Sequence, residues 1–202
     1  MTASSFCAAD FRAALAEPMG DTMRWPRDDE FRRSWVEGEM YPGRLDPPRL
    51  RAIFHRLETA MRSSRTEEDV PLTFEALDVE HVLPQSWYEH WPLPGGTPVT
   101  AEDAQQARLS RFADPPPAGL LADTLRRELH VPRFGNLTLL HYGVNRHLQN
   151  RDFMAKRRGY LEHSNLQLNR ELMVLEGWDE ASIERRGEAL FGAARDIWRG
   201  PA

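Results

Sequence analysis

The chain has 202 residues, 41% of them hydrophobic, which suits one domain or one compact core with a helical extension. No apolar run approaches the roughly 18 residues of a membrane span, and the start, Met-Thr-Ala-Ser-Ser-Phe, lacks the charged and apolar regions of a secretory signal, so the expected location is the cytoplasm, with no membrane partner. The single Cys7 excludes an internal disulfide and a cysteine-rich zinc cluster, leaving oxygen and nitrogen as metal ligands, and the net charge of -5 argues against a general nucleic-acid sponge while allowing a local basic patch.

Along the chain, Asp28 and Asp29 can cap a short helix through Phe31 and Trp35, and Pro47-Pro48 opens a second helix. There Leu50, Ile53, Phe54, Leu57 and Met61 fall on one face at helical spacing. A polar stretch from Ser63 to Asp69 leads into L-T-F-E-A-L-D-V-E-H-V-L-P, where Leu72, Phe74 and Ala76 alternate with polar residues as in a half-buried strand that ends at Pro84. Residues 92 to 98 and 114 to 119 are loops by their turn chemistry, with short polar helices between and after them, so the region of about 88-132 reads as an insertion. F-G-N-L-T-L-L is a second β-type run introduced by Gly135, and V-N-R-H-L-Q-N-R-D-F-M-A-K-R-R-G-Y-L after it reads as one helix with a heavily basic second half. Past Asn169 a helix carries Leu172 and Leu175 and stops at Gly177, and Asp179 caps a last helix striped with Ile183, Leu190, Phe191, Ala194, Ile197 and Trp198. The fold class expected is α+β, mostly helical. Its divisions are a helical lead-in (1-69), a core (70-165) and C-terminal helices (166-202) of the same domain.

The chemistry concentrates in D-V-E-H-V-L-P-Q-S-W, residues 78 to 87. Neighbours on a strand point to opposite faces, so Glu80 and His81 cannot share one apolar layer unless one has a polar task. The order is strand, Glu80-His81, turn, second strand with Asn136, then helix with Asn145. Taken singly, each has a plain reading: a structural Glu-His pair, a turn-capping Asn136, a helix-capping Asn145, and a solvated basic face at Lys156.

Together with G-N-L-T-L-L, N-R-H-L-Q-N-R-D-F-M-A-K-R-R-G-Y and the closing G-W-D-E-A-S-I-E-R-R, that first motif resembles the HNH (ββα-metal, His-Me finger) nuclease domain at the C-terminus of GmrSD-type modification-dependent restriction enzymes. The first motif is also similar to the HNH domain of RNA-guided CRISPR nucleases, as is the nine-residue step from Asn136 to Asn145. The resemblance spans roughly residues 70 to 198 and implies a ββα-metal finger cutting or nicking double-stranded DNA in anti-phage defence. It implies His81 as general base with Asn136 supporting its loop or ring, and Glu80 and Asn145 as ligands of Mg²⁺ or Mn²⁺. In that family an N-terminal nucleotide-dependent domain with a D-G-x-x-R type signature accompanies the nuclease. Nothing like that signature occurs here, so such a domain is an expected partner.

Phosphodiester hydrolysis gives these residue types a reason to meet. A water must be deprotonated, charge on the phosphorus centre neutralised and the leaving oxygen stabilised, which one imidazole and one hard cation supply. Histidine titrates near neutrality, and Mg²⁺ takes oxygen ligands while keeping several waters. From Arg133 to Arg170 seven basic residues stand against two acidic ones, and Arg146, Lys156, Arg157 and Arg158 are the expected DNA-backbone contacts. His141 and His147 flank Asn145, where a plain surface or core role is the expected reading and a backup ligand or substrate contact the alternative. Of the 26 basic residues, Lys156 is the one lysine. The rival readings are an RNase on the same finger, a catalytically silent DNA-binding module, and a protein-interaction domain docking through its apolar helices.

Overall fold

Prolines and acidic residues set the first two helices. In the computed structural model, which describes residues 25-63 and 74-200, α1 spans Asp28–Glu37 and α2 spans Pro47–Ser63. Asp28 and Asp29 lie in the first turn of α1, where they complement the helix dipole, instead of capping it. Glu30 closes the end, accepting from the Arg27 backbone N–H at 2.9 Å. The paired prolines start α2 where backbone N–H groups have no helical partner. Leu50, Phe54 and Leu57 are fully buried on its inner face, with Ile53 and Met61 packed beside them.

Strand β1, Leu77–His81, is shorter than the alternation suggested, because Phe74–Ala76 tightens into a 3-10 turn. Leu72, the polar stretch from 64 to 69, Cys7 and the N-terminal Met-Thr-Ala-Ser-Ser lie outside the described residues. β1 pairs antiparallel with β2, Leu137–His141, with Leu77 opposite His141 and His81 opposite Leu137. A two-stranded ribbon is marginal by itself, and here apolar clusters on both faces hold it. Leu137 and Leu139 join Trp35, Leu50, Phe54 and Phe134 on one side, while Leu140 faces Trp87, Trp91, Phe153, Tyr160 and Trp178 on the other.

Between the strands, the expected polar helices are α3, Ala101–Leu109, and α4, Leu120–His130, packed on each other. Thr100 and Asp103 form a reciprocal cap at the start of α3. The basic stretch after β2 is two helices where one was expected: α5, Tyr142–Leu148, and α6, Phe153–His163. Gln149 takes a φ of 36°, which no continuing helix allows, and Asp152 opens α6 by accepting from Ala155 N–H at 3.0 Å. Helix α7, Gln167–Val174, begins ahead of Asn169 and ends before Gly177, with Leu175 already extended. Asp179 caps α8, Glu180–Ile197, accepting from Ser182 N–H at 2.8 Å.

The turn before β2 is pressed onto α8. A Cβ on Gly135 would lie 1.9 Å from the Ile183 carbonyl oxygen, backbone against backbone, so no rotamer relieves it. Buried Arg186 of α8 reinforces the join by donating to the Gly135, Leu137 and Leu168 carbonyls. Gly135→Ala is therefore expected to destabilise the domain by about 3 kcal/mol, read as a lowered urea midpoint at unchanged slope. The class is α+β and mostly helical, with β1, β2 and α5 giving the β-β-α order.

Candidate active site

Glu80 and His81 end β1 side by side and point to opposite faces of the ribbon, each nearly buried. His81 Nε2 lies 2.9 Å from the Tyr41 carbonyl oxygen, and the Tyr41 ring stacks on the imidazole with centroids 5.3 Å apart. A carbonyl can only accept, so Nε2 carries the proton and Nδ1 keeps its lone pair. Burial holds the His81 pKa down to about 4, against the raising effect of the Tyr41 hydrogen bond. The ring is neutral at pH 7. Tyr41 itself is fixed by Pro132, whose carbonyl accepts from both the Met40 and Tyr41 N–H groups.

Glu80 faces α6. Its Oε1 lies 2.5 Å from Lys156 Nζ, which also donates to the His81 backbone carbonyl at 2.7 Å. Burial pushes the Glu80 carboxyl up and the Lys156 ammonium down, each against the attraction of the other. One turn further along α6, the buried Tyr160 hydroxyl has no hydrogen-bond partner among the described residues; burial and the Glu80 charge keep it protonated far above the usual range.

Asn136 is fully buried, and its amide hydrogen bonds go to groups other than the imidazole. Its Oδ1 accepts from Leu83 N–H at 2.8 Å and Trp178 Nε1 at 3.1 Å, and its Nδ2 donates to the Leu83 and Val131 carbonyls, both at 2.8 Å. The amide thus binds the backbone two residues past His81.

A cleft of about 250 Å³ opens over Glu80 and His81, lined also by Pro84, Gln85, Ser86, Gln149, Asn150 and Lys156. Asn145 is half-buried on α5, one helical turn before Gln149, and is not among the lining residues. Among the described residues no three His, Cys, Asp or Glu side chains gather into a cluster. A hard divalent ion fits the donors present only if amide oxygens, water and substrate phosphate complete its shell around Glu80, the coordination Mg²⁺ favours.

The basic residues separate. Lys156 has no exposed surface, so the expectation of a phosphate contact there is corrected: its ammonium is spent inside on Glu80 and His81, as burial of a charge requires. Arg157 is half-buried, with Nε donating to the Met173 carbonyl at 2.8 Å. Arg146 and Arg158 are exposed, as is Arg151. Arg151 and Arg158 line a polar groove of about 450 Å³ between α5 and α6 with His147 and His163. His141 is exposed, its Nδ1 accepting from Gly143 N–H. Trp87 is in the core, with its Nε1 donating to Glu128 at 2.7 Å.

Sequence reasoning missed Tyr41, forty residues from His81 with no local signature, and missed Gln149 and Asn150, which look like ordinary loop residues. The solitary lysine was a signal, read for the wrong face of its helix.

A family model described as GmrSD restriction endonucleases, C-terminal domain, matches residues 25-193. No curated protein and no solved structure matches the chain. The matched span takes in β1, β2, α5, α6 and the cleft lined by Glu80 and His81, and nearly all of the helices that hold them. The chain therefore belongs to the family of GmrSD restriction endonuclease C-terminal domains.

Proposed function

We propose that this domain is the nuclease effector of a cytoplasmic anti-phage restriction system, an HNH-type endonuclease that nicks or cuts duplex DNA with Mg²⁺ or Mn²⁺. The observation that carries the reading is His81: a neutral imidazole at a cleft floor, with one nitrogen occupied by the Tyr41 carbonyl and the other left to accept a proton, next to a carboxylate. Glu80 and Asn145 would hold the ion. When bound, the ion supplies charge neutralisation at the phosphate and the leaving oxygen. His81 Nδ1 takes the proton of the attacking water, and the Tyr41 carbonyl stabilises the imidazolium that results. Asn136 keeps the Val82-Leu83 backbone, and so the end of β1, in register. Target choice belongs to an N-terminal nucleotide-dependent domain acting with this one.

Supercoiled plasmid incubated with the purified chain in Mg²⁺, in Mn²⁺ and in EDTA tests the reading. Conversion to open-circle or linear DNA with either ion, abolished by EDTA and by Glu80→Ala, is expected. Plasmid that stays supercoiled but is retarded on a gel would favour a silent binding module. Cleavage confined to RNA would favour the ribonuclease reading.

Phosphate contact falls to Arg146, Arg151 and Arg158, which are exposed, Arg151 and Arg158 lining the groove between α5 and α6. Each phosphate neutralised releases counterions, so Arg151→Ala with Arg158→Ala should reduce the slope of log affinity against log salt by about 2. An unchanged slope in a fluorescence-anisotropy titration would take the DNA path off this groove.

A further inference from the structure

Lys156 is the one lysine among 26 basic residues, and it is wholly buried. Arginine serves at every other basic position, so composition does not explain the exception. Geometry does. A guanidinium is a wide planar fork, whereas the site asks for a point charge whose donors diverge to the Glu80 carboxylate and the His81 carbonyl, 2.5 and 2.7 Å from Nζ.

We propose that Lys156 is the positioning residue of the metal site, pinning Glu80 and the His81 backbone and, as resident counter-cation, keeping the divalent ion weakly held until a DNA phosphate joins it. The proposal rests on Glu80 being a metal ligand. The mechanical half follows from where the two residues sit. They end a ribbon of two short strands, and α6 ties that end down. Helix α6 is itself fixed by the Asp152 cap and by Gly159, packed so closely on Leu148 that a Cβ would lie 2.6 Å from its Cδ1.

The electrostatic half follows from charge count. Glu80 and Lys156 are the charged side chains lining the cleft, one of each sign. Asn145 and His81 add no negative charge, so the free site offers a dication no net negative charge, and the ammonium repels it at short range in a poorly screened setting. A substrate phosphodiester brings the missing negative charge. Metal and DNA then bind with mutual reinforcement, as linkage requires.

The test is a calorimetric Mn²⁺ titration of the full chain as wild type, Lys156→Met, Lys156→Arg and Glu80→Gln, with and without an uncleavable phosphorothioate duplex. Wild type should bind Mn²⁺ roughly ten-fold tighter when the duplex is present. Lys156→Met should bind Mn²⁺ roughly ten-fold tighter than wild type without DNA, because Glu80 loses its competing cation, yet cleave plasmid more slowly at saturating metal. Lys156→Arg, with the charge retained, should stay as weak as wild type. A merely structural lysine would leave Mn²⁺ affinity unchanged or lower in Lys156→Met, and that result overturns the proposal. If melting shows Lys156→Met unfolded, wild type decides alone: equal Mn²⁺ affinity with and without duplex overturns it. Glu80→Gln separates the two levels, since Mn²⁺ binding that survives this change removes Glu80 as the ligand and takes the underlying assignment with it.

Discussion

His81→Ala is expected to cut plasmid cleavage by about 10²- to 10⁴-fold, the range removed with a positioned general base, while the chain stays folded. The side chain ends a strand at a cleft, so its loss opens space that water can enter, and the Tyr41 carbonyl it leaves behind can be hydrated. Initial rates of supercoil loss at saturating Mn²⁺ give the effect, and a thermal melt gives the control. The vacated volume adjoins solvent, so added imidazole should restore part of the rate. A folded His81→Ala protein that cleaves at the wild-type rate would remove His81 as the base, whatever became of the metal assignment.

Asn136→Ala should act on stability first. Four buried groups lose their partner at once: the Leu83 N–H and carbonyl, the Val131 carbonyl and the Trp178 Nε1–H. An unsatisfied buried polar group costs about 1–3 kcal/mol. The four together reach about 4 kcal/mol even if the loop relaxes around some of them, a large part of a typical domain's 5–15 kcal/mol. Urea denaturation should show the midpoint collapsing, with cleavage lost in proportion to the unfolded fraction. Full stability with cleavage lost would instead put the Asn136 amide in the reaction itself.

These two variants separate chemistry from scaffold at residues that one motif pattern presents as equals. Both belong to short polar motifs at the ends of short strands, and both motifs were legible. Their environments were not: a cleft floor for His81 and a closed pocket for Asn136 are set by residues from four other segments, among them Pro132, Tyr41 and Trp178. The basic helix shows the same limit. A run of Lys156, Arg157 and Arg158 reads as one positive face, but successive helical residues are about 100° apart. The three are buried, half-buried and exposed in turn. Its break at Gln149 was hidden because Gln149 is no helix breaker by composition; with its positive φ there, Leu148 before the break and Phe153 after it both pack into one cluster.

Local chemistry was enough for the helix that two prolines open, the helix Asp179 caps, the β-β-α order and the resemblance to a restriction nuclease, because capping, turn residues and periodicity act over a few neighbours. Tertiary structure alone decided which nitrogen of His81 is free, that Asn136 holds a loop, and that the single lysine faces inward to Glu80. Each of these depends on contacts between residues 40 to 76 positions apart, where a hydrogen-bond partner is chosen by burial and distance and leaves no trace in the local pattern.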